Sequence, residues 1–111
     1  AYEIGSGLVV SEMCIRDRVG PAGCFDDDVN GICASKAVIA NLMDEDSGTM
    51  FEIGFAHSLG IPVYAYREGL RDGDSINLMI AQSVRAVFSS SDDLARYLET
   101  GEHKDADYAQ F

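Results

Sequence analysis

The chain has 111 residues, of which 47% are apolar and 24% charged, and this composition is typical of one small globular domain rather than a disordered segment. Nineteen acidic residues against eight Lys and Arg give a net charge of −11. This charge argues against a nucleic-acid backbone or an anionic membrane as partner, because both bind clustered positive charge. No apolar run reaches the ~18 residues of a transmembrane helix, and no signal-peptide pattern begins the chain. We therefore predict a domain that binds neither nucleic acid nor membrane.

Cysteine and histidine are sparse: the cysteines are Cys14, Cys24 and Cys33, and the histidines are His57 and His103. An odd number of cysteines without a Cys-x-x-Cys pair does not fit a disulfide framework, and two distant histidines do not fit a zinc site. We expect free thiols in a reducing cytoplasm. We also predict that the protein uses no metal and no cofactor.

The first twenty residues differ from the rest of the chain. Residues 1–10 are small and apolar, and residues 11–18 have neither helical nor strand periodicity. Residues 9–18, which contain Val-Ser-Glu-Met-Cys-Ile-Arg-Asp, resemble translated sequencing-adapter read-through rather than a protein family. We therefore predict that residues 1–20 are a non-native or disordered leader and that residues 21–111 form the domain.

From residue 25 onward, the apolar pattern predicts alternating helices and strands. The predicted helices are residues 25–34, 49–59 and 76–84, and a last helix from Ser90 or Ser91 to about Glu99. The predicted strands are residues 37–43, buried on both faces, then 61–66 and 86–88. This alternation indicates an α/β domain with a parallel sheet. Ligands bind at the carboxyl ends of such strands, so the loops after Met43 and Tyr66 are the first candidates for a site.

Carboxylates are concentrated after the first of these strands. Asp44, Glu45 and Asp46 lie in the predicted turn, and Glu52 lies one turn into the next helix; residues 37–66 contain no Lys or Arg. Carboxylates packed near one another separate in pKa, which leaves one protonated as an acid and another ionised as a nucleophile or base.

Structural roles compete with this chemistry. The spacing Thr49-x-x-Glu52 fits a capping box, in which the Glu52 carboxylate accepts a hydrogen bond from the backbone N–H of Thr49. Asp46 could serve only the N-terminus of the helix, where negative charge is favoured. The run Asp26, Asp27 and Asp28 is most simply a solvated helix start.

Residues 46–56, Asp-Ser-Gly-Thr-Met-Phe-Glu-Ile-Gly-Phe-Ala, resemble the signature of nucleoside 2-deoxyribosyltransferases, broadly Asp-x-Gly-Thr-x-x-Glu-x-Gly-x-Ala. Two more blocks fit this family in order and approximate spacing: Asp-Val-Asn-Gly-Ile at residues 28–32 and Ile-Asn-Leu-Met at residues 76–79. The resemblance covers about residues 25–98. It implies a Rossmann/flavodoxin-like parallel sheet with flanking helices. Since residues 1–23 do not match the strand and helix that begin family members, we expect the first βα unit to be missing.

The resemblance also implies an activity, namely the transfer of a 2-deoxyribosyl group between nucleobases, with retention, through a covalent glycosyl-enzyme. Glu52 matches the family's nucleophile, because a carboxylate stabilises and then traps an oxocarbenium-like centre. Asp46 and Asp28 match the aspartates that bind the base and manage its proton. Gly48 and Thr49 belong to the same signature and are expected to bind substrate.

Two further matched residues imply an assembly. Asn77 and Met79 match residues that reach into a neighbouring subunit's site, where Asn77 would orient the nucleophile. The resemblance thus implies a homo-oligomer with shared active sites, acting on a 2′-deoxynucleoside and a free nucleobase. Without it, Asn77 is a helix-start residue and Met79 a core residue.

Two other functions stay open. A deoxynucleoside 5′-monophosphate N-glycosidase shares the fold and the carboxylate nucleophile but passes the sugar to water, and it needs a phosphate pocket. Lys36 and Arg67 are the only basic residues near the signature in sequence. In a non-catalytic nucleoside-binding module, Glu52 would be a capping residue only.

Overall fold

The computed structural model describes residues 2–5, 12–103 and 107–111 of the chain. In chain order, the elements of this part are β1 (Tyr2–Gly5), α1 (Glu12–Ala34), β2 (Ser35–Asn41), α2 (Ser47–Ser58), β3 (Val63–Tyr66), β4 (Ser75–Ile76), α3 (Leu78–Ser83), β5 (Ala86–Phe88), α4 (Ser91–Thr100) and β6 (Ala109–Gln110). A 3₁₀ turn, Met43–Glu45, connects β2 to α2. Among these helices, none is both long enough and apolar enough to cross a membrane.

The main sheet has the strand order β1-β2-β3-β5. Strands β2, β3 and β5 are parallel, as predicted, and their register places Val38 beside Val63 and Ala65 beside Val87. The α/β arrangement agrees with a Rossmann/flavodoxin-like fold. One departure is β1, which pairs antiparallel with β2 at the edge of the sheet; antiparallel edge strands are common on otherwise parallel sheets. Strands β4 and β6 form a separate parallel pair.

The core lies between the sheet and α2. Val38 and Val63 are almost fully buried and belong to one cluster with Ile53 of α2. Successive side chains of a strand point to opposite faces. The other face of β3 therefore carries Tyr64, whose ring lies 5.8 Å from that of Tyr97 in α4. Helices α2 and α4 thus cover opposite faces of the sheet.

The first predicted strand has the expected length but begins two residues earlier, at Ser35, and is less buried than expected. It ends at Asn41, and Met43 lies beyond it with 41% of its surface exposed. Val38 and Ala40 are buried, whereas Ile39 is only partly buried. Leu42 follows the strand but still packs into the core cluster. The apolar run therefore continues past the end of the strand.

Helix α1 confirms the helix predicted at residues 25–34 and extends it towards the N-terminus. Residues 12–20 form its first part, although they lack helical periodicity in sequence. The two parts meet at Gly20, which has φ 73° and ψ 179°, and Pro21 follows it. Proline suits a first helical position because it needs no amide partner there. Residues 1 and 6–11 of the predicted leader lie outside the described residues, and a domain boundary at residue 20 stays a prediction.

The remaining elements follow the predictions with shifted bounds. Helix α2 begins two residues earlier than predicted, and Gly60 follows its end with φ 74°. Helix α3 is shorter than predicted because Ile76 belongs to β4. Strand β5 is confirmed at residues 86–88. Ser90 caps α4, where its hydroxyl oxygen accepts a hydrogen bond from the backbone N–H of Asp93 at 3.0 Å.

Candidate functional site

Glu52 is a buried carboxylate in α2, with 5% of its surface exposed. Such burial is rare for glutamate, since removing an ionised carboxylate from water is costly. Glu52 contributes to the wall of a cavity of about 510 Å³ between α1 and α2. The residues that line this cavity, called here the Glu52 cavity, are Pro21, Cys24, Phe25, Asp28, Val29, Ile32, Gly48, Phe51 and Glu52.

Asp28 of α1 is the second carboxylate of the Glu52 cavity. It is partly buried, whereas its neighbours Asp26 and Asp27 are exposed. The interpretation of this run as a helix start is wrong. Helix α1 begins at Glu12, and even its kink at Gly20 lies six residues before Asp26. The structure brings Asp28 and Glu52, far apart in sequence, to one concave surface.

Asp46 is the N-cap of α2. Its Oδ2 accepts hydrogen bonds from the backbone N–H of Thr49 at 2.9 Å and from the Thr49 hydroxyl at 3.2 Å. These two bonds hold the pKa of the Asp46 carboxyl below its ordinary value of 3.8, because they stabilise the ionised form. The structural role considered for Asp46 is confirmed.

The capping box predicted for Thr49 and Glu52 is wrong. Thr49 lies inside α2 rather than at its N-cap, and its backbone N–H donates to Asp46. Thr49 itself is buried, with 7% of its surface exposed. The capping requirement of α2 therefore does not account for a glutamate at position 52.

Gly48 also lines the Glu52 cavity and lies two residues after Asp46, the N-cap of α2. A Cβ atom at this position would stand 3.1 Å from Oδ2 of Asp46, which is closer than ordinary van der Waals contact. A glycine thus lets the Asp46 carboxylate approach the first turn of α2 without crowding. A side chain at position 48 would therefore crowd the carboxylate that caps α2.

The aromatic residues beside the Glu52 cavity were missed in the sequence analysis. Phe25 and Phe51 both line it, their ring centroids lie 5.9 Å apart, and about half of each side chain is exposed. The Phe51 ring also stacks on Phe55, with centroids 6.0 Å apart. Helical spacing was the available signal, since residues 48, 51, 52 and 55 share one face of an α-helix.

Asn77 and Met79 do not line the Glu52 cavity. Asn77 is the N-cap of α3, where its Oδ1 accepts hydrogen bonds from the backbone N–H groups of Met79 and Ile80 at 2.9 and 3.3 Å. It lines a second cavity of about 320 Å³, together with Arg67 and Met50. The helix-start interpretation of Asn77 is confirmed. The interpretation of Met79 as a core residue is wrong, because 68% of its surface is exposed.

In a comparison with known protein families, residues 11–82 match the family described as nucleoside 2-deoxyribosyltransferase. The chain belongs to the nucleoside 2-deoxyribosyltransferase family. None of the curated proteins matches it in sequence. The family match contains all three blocks of the resemblance and the residues of the Glu52 cavity, and it begins within the predicted leader.

Family membership supports a nucleoside deoxyribosyltransferase type of function and substrates that are nucleosides and nucleobases. The arrangement in this chain suits such chemistry, because an apolar and aromatic wall surrounds two carboxylates. A carboxylate beside apolar surface can stabilise a developing positive charge on a sugar, since water competes with it less than on an open surface.

Proposed function

We propose that this protein transfers the 2-deoxyribosyl group of a 2′-deoxynucleoside to a second nucleobase, with Glu52 as the nucleophile. The observation that carries the proposal is a buried glutamate that shares a cavity with a second carboxylate and is not required as a helix cap. The segment 46–56 that resembles the family signature, and that contains Glu52, lies within the matched residues 11–82.

The proposed reaction has two displacements at the anomeric carbon. In the first, an Oε atom of Glu52 forms a bond to C1′ while the C1′–N bond breaks, and the electron pair of that bond goes to the base nitrogen, which takes up a proton. In the second, a ring nitrogen of the incoming base attacks C1′, the Glu52 ester bond breaks, and the incoming base loses its proton. Two inversions give net retention, as in retaining glycosidases.

In the proposal, Asp28 donates the proton that the leaving base takes up. Asp46 is the weaker candidate for a proton donor, because its hydrogen bonds to Thr49 lower its pKa and keep it ionised. In the proposal, Asp46 accepts hydrogen bonds from the base, while Gly48 and Thr49 hold Asp46 in place. Asp28 then exchanges one proton with the leaving base and the incoming base.

The composition of the Glu52 cavity favours a nucleoside over a nucleoside monophosphate. No Lys or Arg is among its lining residues in the part of the chain that the structure describes. Arg67 lines the second cavity instead. A phosphate group would enter a cavity with two carboxylates and no cation, which is electrostatically unfavourable. The 5′-monophosphate N-glycosidase is therefore the second candidate.

We further propose that the active unit is a cytoplasmic homo-oligomer that serves nucleobase salvage and in which Asn77 and Met79 complete a neighbouring subunit's site. Exposure of Met79 supports this proposal, since an exposed methionine at the start of α3 is available for contact with a second copy and methionine is enriched at protein interfaces.

The test is base exchange. The protein is incubated with thymidine and adenine, and the products are separated by chromatography. Deoxyadenosine with an equal amount of thymine supports the transferase. Free thymine and deoxyribose without deoxyadenosine indicate a hydrolase, and no turnover indicates a binding module; either result contradicts the proposal. Incubation with thymidine 5′-monophosphate is the matched control for the second candidate.

A further inference from the structure

Residues 107–111 lie beside the segment that leads into α3. Strand β6 pairs in parallel with β4, which places Ser75 opposite Ala109 and Ile76 opposite Gln110. The backbone N–H of Ala109 donates to the carbonyl of Asp74 at 2.7 Å. We call residues 107–111 the C-terminal strap.

The main chain of Phe111 binds both chain neighbours of Asn77. Its N–H donates to the carbonyl of Ile76 at 3.2 Å, and its carbonyl accepts from the N–H of Leu78. Phe111 as a whole residue is 73% exposed, and its hydrogen bonds to Ile76 and Leu78 are made by main-chain groups.

Other contacts hold the same region. The backbone N–H of Asp107 donates to Oδ1 of Asp72 at 2.9 Å, and the Gln82 amide of α3 donates to Oε1 of Gln110 at 2.6 Å. The ring of Tyr108 packs against the core cluster. The strap is thus tied both to the loop before β4 and to α3.

Asn77 lies between Ile76 and Leu78, the two residues that the main chain of Phe111 binds. Its side-chain oxygen accepts hydrogen bonds from Met79 and Ile80, so the direction of its amide nitrogen follows the backbone at the start of α3. We propose that the C-terminal strap is a positioning element for Asn77, and that Phe111 acts through its main-chain N–H and carbonyl. This inference rests on the proposed function, in which Asn77 completes an active site.

Two variants of the same residue separate the main chain from the ring. Phe111→Ala removes the ring and keeps the N–H, whereas Phe111→Pro removes both. Proline favours an extended residue before it, which Gln110 already is in β6. We expect Phe111→Ala to exchange bases like the wild type, and Phe111→Pro to lose about 10-fold to 100-fold in kcat/KM, since small misplacements of an orienting group have effects of this size. Because Phe111→Pro loses the hydrogen bond to the Ile76 carbonyl, the neighbouring bond from the Leu78 N–H to the residue 111 carbonyl should open more often, and the Leu78 amide should exchange with deuterium faster in Phe111→Pro than in Phe111→Ala.

A double-mutant cycle with Asn77→Ser distinguishes an effect on the position of Asn77 from a general loss of structure. Serine also caps helices but lacks the amide group. If Phe111 acts through Asn77, Phe111→Pro should have little further effect on kcat/KM in the Asn77→Ser background. Full additivity would overturn the inference, as would equal activities of Phe111→Pro and Phe111→Ala in an active protein. A wild-type protein that exchanges no bases overturns the proposed function instead, and the positioning role with it.

Discussion

The carboxylate of Asp46 accepts two hydrogen bonds from Thr49, one from its backbone N–H at 2.9 Å and one from its hydroxyl at 3.2 Å. This contact assigns the helix-capping role of the signature to its first residue. The glutamate six residues later is therefore available for another role, and it lies buried beside the Glu52 cavity.

Capping by Asp46 predicts a stability difference between two substitutions. Asp46→Ala should destabilise the protein by about 1 kcal/mol, because it removes the N-cap of α2. Asp46→Asn should have a much smaller effect, because asparagine is an equally good cap. Urea unfolding at pH 7 measures both free energies. Equal losses in the two variants would contradict the capping role.

The lowered pKa of Asp46 predicts how the contribution of its carboxylate to stability depends on pH. Because its pKa is lower in the folded state than its ordinary value of 3.8, the ionised carboxylate contributes its full stabilisation above that value. The contribution falls as the pH decreases through the lower folded pKa. The difference between wild type and Asp46→Asn should therefore shrink on acidification below pH 3.8. Urea unfolding from neutral pH into this acidic range checks the prediction, and a difference that grows there would contradict it.

Replacement of the proposed nucleophile should abolish exchange without unfolding the protein. Glu52→Gln keeps the shape of the buried side chain but cannot attack C1′, so kcat should fall by about 10³-fold or more. The control is Glu68→Gln, an exposed glutamate after β3, which should retain activity. Mass spectrometry of wild type with thymidine alone should detect a deoxyribosyl adduct that the Glu52 variant lacks. Full activity of Glu52→Gln would exclude Glu52 as the nucleophile.

The carboxylate pair of the Glu52 cavity predicts a bell-shaped pH profile for base exchange. The acidic limb reflects protonation of the nucleophile, and the basic limb reflects loss of the donor's proton. Asp28→Asn should reduce kcat by about 10²-fold to 10⁴-fold and remove the basic limb. Asp27→Asn is the matched control, because Asp27 is an exposed residue of the same helix, and it should change neither kcat nor the basic limb of the profile. A flat profile between about pH 4 and 9 would contradict the acid–nucleophile assignment.

The exposure of Met79 predicts that its function and its contribution to stability can be separated. With 68% of its surface exposed, Met79→Ser should leave the free energy of unfolding of the single chain almost unchanged, while it weakens self-association and base exchange. Leu98→Ser provides a control, because Leu98 of α4 is 45% exposed and has no proposed contact. Analytical ultracentrifugation and the exchange assay measure the two effects. Equal losses in both variants would argue against a specific contact at Met79.

Much of the fold could be predicted because its signals are local. The buried strand before the signature, the cap at Ser90 and the short strand at residues 86–88 each depend on side chains within a few positions of one another. The antiparallel edge strand β1 and the pairing of β4 with β6 could not be predicted, because both depend on partners distant in the chain. Met79 was misassigned for a related reason, since an apolar residue on a short helix becomes core only if another element packs on it.

The candidate site was predictable in part. The motif placed Asp46, Gly48, Thr49 and Glu52 on one stretch of chain, but its spacing was equally compatible with a capping box. Only the folded arrangement shows that Asp46 binds the N–H of Thr49 and that Asp28 lines the same cavity as Glu52. Phe25 and Phe51 were missed because aromatic residues on a helix usually indicate packing against a core, whereas here each residue is about half exposed.

The pairing between the C-terminal strap and β4 also has a consequence for how the chain folds. Its hydrogen bonds join residues as much as 35 positions apart, as between Asp72 and Asp107, whereas the helices form from near neighbours. Contacts of such separation carry a larger loop-closure entropy and tend to form late. Two strands of two residues each also give little cooperative protection. Limited proteolysis should therefore cleave the C-terminal strap before the main sheet opens. In the partly unfolded state that is cleaved, the main-chain hydrogen bonds of Phe111 to Ile76 and Leu78 are broken.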